Sequence, residues 1–443
     1  MHITLAHVGI AGPVYRSGPN ELSFESLESL QDIYTAKPGV IGKPDIWKCL
    51  SVDTSAPNIL STVNDEEHRF KHQTISTMFS SHTMCRNEDR MKPYIDHFVD
   101  LLGAPGQDLQ ELCNWLSLDI ISDLLYHDSF NMLKSAELRW IMAAYRIMSR
   151  WAMTCMVQPK SRCLIYLHYF VPSFRSIVKL GQWMRDKSIR HIAAAAKNDD
   201  LFAFFCKAEN KKSDFKYDKK SIWTESVLLL AAGSDTTSTT MAAIFFYLYH
   251  NRKALDKLTK SLRSEFKDES EISGSKLAKC IYLQACIREA MRLVPAVSNL
   301  SPRVVHAEMT TIDGYFVRKN THVGVSLSSY NRNRAIFERQ DEFLPERWIS
   351  ADGERLKLDL FKSFGDGRRR CAGMNLALLE LALVVARALF RYNVSLPSVC
   401  HLSGDLGGTG KGSHAFAFDA WIVASGRVGQ IKSDCFVQRD QRD

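Results

Sequence analysis

Apolar positions recur at three- and four-residue steps over most of the chain, and strict alternation is confined to a few short pieces. From roughly 64 to 293 that spacing predicts helices near 66–80, 108–127, 135–155, 173–197, 221–249, 252–267 and 275–293. A last helix over 375–392 carries an apolar stripe of Leu376, Leu379, Leu383 and Leu389. The alternating pieces, 14–17, 22–24, 309–312, 315–317 and 322–325, sit beside turn residues such as Gly18-Pro19-Asn20-Glu21 and Asp313-Gly314, and read as strands. No internal repeat and no Pro/Ser-rich linker divides the chain. The pattern predicts one mainly α domain with a minor β region.

Composition narrows the class. The 443 residues are 45% apolar and 24% charged, values that fit a globular protein and neither a disordered chain nor a polytopic membrane protein. The net charge of +8 is small for the length and comes without a long Lys/Arg block, which argues against nucleic acid as a partner. It leaves room for a weakly basic patch facing an acidic protein or an anionic membrane surface. Eleven cysteines form no CxxC pair and read as scattered thiols in a reducing compartment. No stretch is long and apolar enough to span a bilayer. The segment from 395 to 443 is rich in Gly and Ser, and its run Gly407-Gly408-Thr409-Gly410-Lys411-Gly412 lacks the hydroxyl residue that a phosphate loop needs after its lysine.

One of the eleven cysteines stands in unusual company. Phe364-Gly365-Asp366-Gly367-Arg368-Arg369-Arg370-Cys371-Ala372-Gly373 runs straight into the last helix. Three arginines and a helix N-terminus beside Cys371 favour the thiolate, which is the form that ligates metals. With no neighbouring Cys or His, zinc is a poor fit, whereas haem iron needs a single axial ligand. Taken alone, the segment reads equally well as a buried cysteine at a helix cap. A second oddity is Ala232-Gly233-Ser234-Asp235-Thr236-Thr237 inside an otherwise apolar helix, a polar break expected where a helix opens around a ligand or admits water.

Together these residues resemble a known family. The segment 364–373 matches FxxGxRxCxG, the haem-ligand signature of cytochromes P450, through Phe364, Gly367, Arg369, Cys371 and Gly373. The run 232–237 resembles the family's AGxDTT motif, and Glu289-Ala290-Met291-Arg292 and Pro345-Glu346-Arg347-Trp348 stand in the family's order. The resemblance covers about 13–394 and implies a cytochrome P450 domain over 1–394, a triangular helical prism around haem, with 395–443 as an atypical tail. It implies Cys371 as the axial iron ligand and Phe364 beside the cofactor. His68, Arg303 and Arg369 would meet the haem propionates, with His72 standing where relatives often carry a second basic residue. Thr236 and Asp235 would handle the protons that dioxygen activation consumes. Glu289, Arg292 and Arg347 would form a buried network behind the haem.

The implied activity is a monooxygenase that takes O2 and electrons from an NADPH-cytochrome reductase and hydroxylates or epoxidises an apolar small molecule. Details at 18–24 and 232–237 resemble fungal enzymes of secondary metabolism. An electron-independent haem-thiolate isomerase or dehydratase is one alternative; a non-catalytic haem-binding product of a truncated gene is another. The resemblance implies the cytoplasmic side of the endoplasmic reticulum. The membrane anchor and additional helix that open microsomal relatives are not seen in this sequence, which leaves a soluble or peripheral chain. The run 151–174, with Met153, Met156, Ile165, Tyr166, Tyr169 and Phe170, reads as core, as a substrate roof or as a membrane contact. Lys362, Arg368 and Arg370 read either as a basic surface for an acidic electron donor or as solvated charge.

Overall fold

The computed structural model describes residues 13–104, 107–157, 172–194, 201–208, 215–299, 302–353, 355–394 and 436–438. In chain order the elements are β1 (Val14–Gly18), β2 (Glu21–Phe24), α1 (Leu27–Tyr34), β3 (Ile41–Gly42), α2 (Asp65–Met78), α3 (Ser81–Leu102), α4 (Leu109–Tyr126), α5 (Trp140–Val157), α6 (Pro172–Ala194) and α7 (Phe202–Lys207). There follow α8 (Lys219–His250), α9 (Arg252–Glu265), α10 (Gly274–Leu277), α11 (Ile281–Leu293), β4 (Arg303–Val305), β5 (Met309–Ile312), β6 (Tyr315–Arg318), β7 (His322–Val325), α12 (Leu327–Tyr330), α13 (Met374–Arg391), β8 (Tyr392–Val394) and β9 (Phe436–Gln438). The mainly helical class with small sheets agrees with the periodicity.

Two compact units result: Met1–Ile41, Met84–Cys113 and Thr236–Asp443 make the first, and Gly42–Thr83 and Asn114–Asp235 the second. The first unit holds a five-stranded sheet in the order β1-β2-β7-β4-β3. β2 runs parallel to β7, with Glu21 opposite His322 and Phe24 opposite Val325, although some three hundred residues separate them in sequence. Phe24, Leu30, Ile33, Val323, Val325, Tyr330 and Trp348 belong to the core under this sheet. α11 is buried from Tyr282 to Leu293, and α13 buries Leu381 to Leu389.

Some elements depart from the spacing. α1 was not expected, yet the Ser26 hydroxyl caps it by accepting the Ser29 N–H at 2.9 Å, and its Leu30, Ile33 and Tyr34 are buried on one face. α3 was also unexpected: charged residues and Pro93 obscure a face made of Met84, Met91, Ile95, Phe98 and Leu102. The helix expected over 275–293 is divided, because α10 ends at Leu277 and Cys280 takes a non-helical ψ of 82° before α11.

In the second unit Asn64 caps α2 by accepting the N–H groups of Glu66 and Glu67, both at 2.9 Å, and three acidic residues fill the first turn. Buried Asp119 fastens the middle of the loop after α4 by accepting Met132 and Leu133 N–H at 2.8 and 3.0 Å. Beyond the last helix, β8 pairs antiparallel with β9. The Gly-rich run 407–412 and residues 158–171 lie outside the described residues.

Candidate active site

The loop before α13 is shaped by one close approach. Gly367 has φ +67°, and a Cβ there would lie 2.0 Å from the Tyr34 carbonyl oxygen, so the loop backbone rests directly on the end of α1. A short 3-10 turn over Gly367–Arg369 begins at Asp366, whose carboxylate accepts the Gly367 N–H at 2.7 Å. Arg368 adds a bond from its guanidinium to the Ala36 carbonyl at 3.0 Å. The Cys371 N–H then reaches back to the Phe364 carbonyl at 2.8 Å, closing the loop. The thiol is exposed. A Cβ on Gly373 would meet nothing within 4 Å, so this side of the loop is open.

Tyr34 joins a second candidate to this loop. The Arg303 guanidinium lies 5.0 Å from the centre of the Tyr34 ring, and the Tyr34 hydroxyl accepts the Val325 N–H at 3.2 Å. Burial pushes the Tyr34 phenol up to about 12 against the pull of Arg303. Arg303 and the turn bearing Arg369 therefore meet on one residue that sequence reasoning missed. Its signal was present as Ser26, a capping residue, followed by apolar positions at three- and four-residue steps.

Behind the loop stands a closed cage. Glu289 is 0% exposed, and its Oε1 accepts Arg347 Nε, Arg292 Nη2 and the Leu344 N–H, each at 2.9 Å. Its Oε2 accepts Arg292 Nε and Trp348 Nε1, also at 2.9 Å. The remaining donors of Arg292 go to the carbonyls of Asn331, Gln340 and Glu342. Trp348 is a partner that the family pattern alone did not single out.

α8 carries the other pair. The expected opening of the helix at 232–237 is absent: the backbone stays helical throughout, Ser234 bonds back to the Leu230 carbonyl at 2.7 Å, and Thr240 to the Thr236 carbonyl at 2.9 Å. What marks the site is a stripe. Leu228, Ala231, Ala232, Asp235 and Thr236 are accessible to solvent, whereas Thr237 to Phe246 are buried. Burial raises the Asp235 carboxyl above its ordinary value, and Arg146 draws it part of the way back.

Known proteins similar to this chain identify its family. The family model described as Cytochrome P450 matches residues 48–405. The chain belongs to the cytochrome P450 family. A P450 monooxygenase of Fusarium equiseti named fscF is 28% identical, over 95% of this chain and 85% of its own. The trichothecene C-15 hydroxylase of Fusarium sporotrichioides is 27% identical, over 87% and 80%. The fusicoccadiene 8-ol C-16-hydroxylase of Phomopsis amygdali is 29% identical, over 87% and 76%. This protein is thus a cytochrome P450 monooxygenase, and its cofactor is haem bound through a thiolate.

The residues of this P450 fit that cofactor. An exposed sulfur beside an open glycine suits a flat macrocycle approached along its axis. Arg303, 7% exposed, and His68, 6% exposed, are the covered basic side chains of β4 and α2. The expectation that the loop alone favours the thiolate is corrected. Although the thiol is open to water, the protein packed around it raises its pKa, and the Gly373 N–H and Arg370 offset this only in part. Iron held at Cys371 would supply positive charge that favours the deprotonated sulfur. Arg303, Phe364, Arg369, Cys371 and Thr236 belong to the first unit, His68 and Asp235 to the second. The His68 ring lies 5.7 Å from that of His72, whose Nδ1 is 3.2 Å from Ser76 Oγ. Among the described residues no helix is long and apolar enough to cross a membrane.

Proposed function

We propose that this P450 hydroxylates or epoxidises an apolar small molecule of fungal secondary metabolism, with Cys371 as the axial ligand. The observation that carries the assignment is the Cys371 loop, seated on the Tyr34 carbonyl by Gly367 and open on the side of Cys371 and Gly373. When bound, the haem supplies the oxidising chemistry, with O2 and electrons from a reductase as the family implies. The protein's own part is to hold and supply protons. Cys371 provides the sulfur and Phe364 fixes its backbone. His68, Arg303 and Arg369 neutralise the propionates.

Asp235 is suited to passing protons because burial brings its carboxyl closer to neutrality, and Thr236, one residue on along the same accessible stripe, orients the receiving group. The hydroxylase names of the fungal relatives support the substrate class. Leu228, Ala231 and Ala232 on the stripe offer an apolar wall to such a substrate.

The test is a reduced carbon-monoxide difference spectrum of the full chain, expected at the thiolate position and absent in Cys371→Ala. A normal spectrum in that variant would sink the ligand assignment. Turnover of a candidate terpenoid or polyketide should require NADPH and reductase; turnover without them would favour an isomerase or dehydratase.

A further inference from the structure

Among the described residues, Arg288 is a buried cation without a counter-ion. It is 7% exposed, and among the described residues no carboxylate pairs with it. One guanidinium nitrogen, Nη1, donates to the Gln284 carbonyl at 2.9 Å and to Gln284 Oε1 at 2.7 Å, while Nε has no hydrogen-bond partner. Its neighbour Glu289 is fully taken up by Arg292, Arg347, Leu344 and Trp348. A buried charge left in this state is costly to the fold unless some other group responds to its field.

The surroundings say which group that is. The Arg288 guanidinium lies 5.6 Å from the centre of the Phe361 ring. Phe361 lies 5.9 Å from Phe364, whose carbonyl accepts the Cys371 N–H. Ser363, between the two phenylalanines in sequence, donates to the Met291 carbonyl on the same helix as Arg288 at 3.4 Å. Two half-buried aromatic rings thus lie between an uncompensated positive charge and the loop that carries the axial sulfur. Because the charge is buried at its source, water and dissolved salt screen it less than they screen a surface charge.

We infer that Arg288 sets the reduction potential of the haem held by Cys371. The inference rests on the haem-thiolate reading and deepens it. One electron from the reductase lowers the charge of the iron centre by one, and a fixed positive charge nearby favours the reduced, more negative state. No proton or bond changes at Arg288, which acts at a distance through Phe361 and Phe364 and is not a catalytic residue.

The test is the midpoint potential of the purified haem-loaded chain, with the variants Arg288→Lys, Arg288→Met and Gln284→Leu. Arg288→Met should shift the reduction equilibrium about tenfold toward the oxidised form, about 59 mV for one electron. The shift should persist in high salt, whereas Arg288→Lys should stay near the parent. Gln284→Leu removes an acceptor that dampens the charge, so its potential should rise. This last variant decides the matter if Arg288→Met fails to hold haem. A parent-like potential in both Arg288→Met and Gln284→Leu would overturn the inference, as would equal shifts in Lys and Met, which would mark packing as the cause. A change confined to the reductase concentration dependence, with the potential fixed, would assign Arg288 to donor docking and also overturn it. Absence of a thiolate spectrum in the parent chain would instead count against the haem-thiolate reading itself.

Discussion

The Glu289 cage and the Cys371 loop lie in the same unit and handle their polar groups in opposite ways. Glu289 is 0% exposed and takes five hydrogen bonds, so every oxygen lone pair is directed inward. Cys371 is exposed, and its backbone, not its sulfur, makes the bond that fixes the loop. The first arrangement holds backbone segments together; the second leaves one atom available. The difference teaches that a motif's conspicuous residues can stabilise the frame or do chemistry, and that satisfaction of their polar atoms tells the two apart.

Substitutions should break this contrast in a graded way. Glu289→Gln removes the only carboxylate of the cage and leaves buried Arg292 and half-buried Arg347 without it; a loss of about 3–5 kcal/mol is expected in chemical denaturation. A loss below about 1 kcal/mol would mean the cage is not what holds the frame. Gly367→Ala places a methyl group against the Tyr34 carbonyl at a positive φ, and should cost about 2–3 kcal/mol together with most of the haem content. Haem occupancy like that of the parent would show that α1 and the loop can separate freely.

A third polar group sharpens the comparison. Glu25 is buried, its Oε1 has no partner among the described residues, and burial raises its pKa to about 7. With the folded value above the unfolded one near 4.5, the stability tied to its proton is present below about pH 4.5 and lost as the pH rises through about 7. Glu25 is covered without being deep, so the effect falls short of the full shift. Glu25→Gln should therefore stabilise the protein by about 1–2 kcal/mol above pH 7 and change little near pH 4. Melting curves across that range that keep a constant difference would contradict this. Smallest of all on stability is Cys371→Ser, expected within about 0.5 kcal/mol because the side chain is exposed, even though the thiolate spectrum disappears.

Much of the architecture was legible from spacing alone. The long apolar helices α4, α8 and α13 and the strands beside Asp313-Gly314 fall close to where periodicity put them. α1 and α3 escaped for physical reasons: one is short and follows a strand turn, and the other hides its buried face among charged residues. The candidate residues were visible because special chemistry leaves residues that local stability does not favour, such as Gly367 and the polar run at 232–237. Their supports were not. Tyr34 and Arg288 matter through what they touch far along the chain, and the break expected in α8 proved to be an accessible stripe on an intact helix.

The parallel pairing of β2 with β7 has a consequence for synthesis. The Tyr34 hydroxyl takes its partner, the Val325 N–H, from 291 residues downstream. At ribosomal speeds of 5–20 residues per second that interval is about 15–60 s, during which the N-terminal hairpin has an unclaimed edge. The seat for the cysteine loop is thus completed shortly before the loop itself is made, so cofactor capture waits until both have left the ribosome.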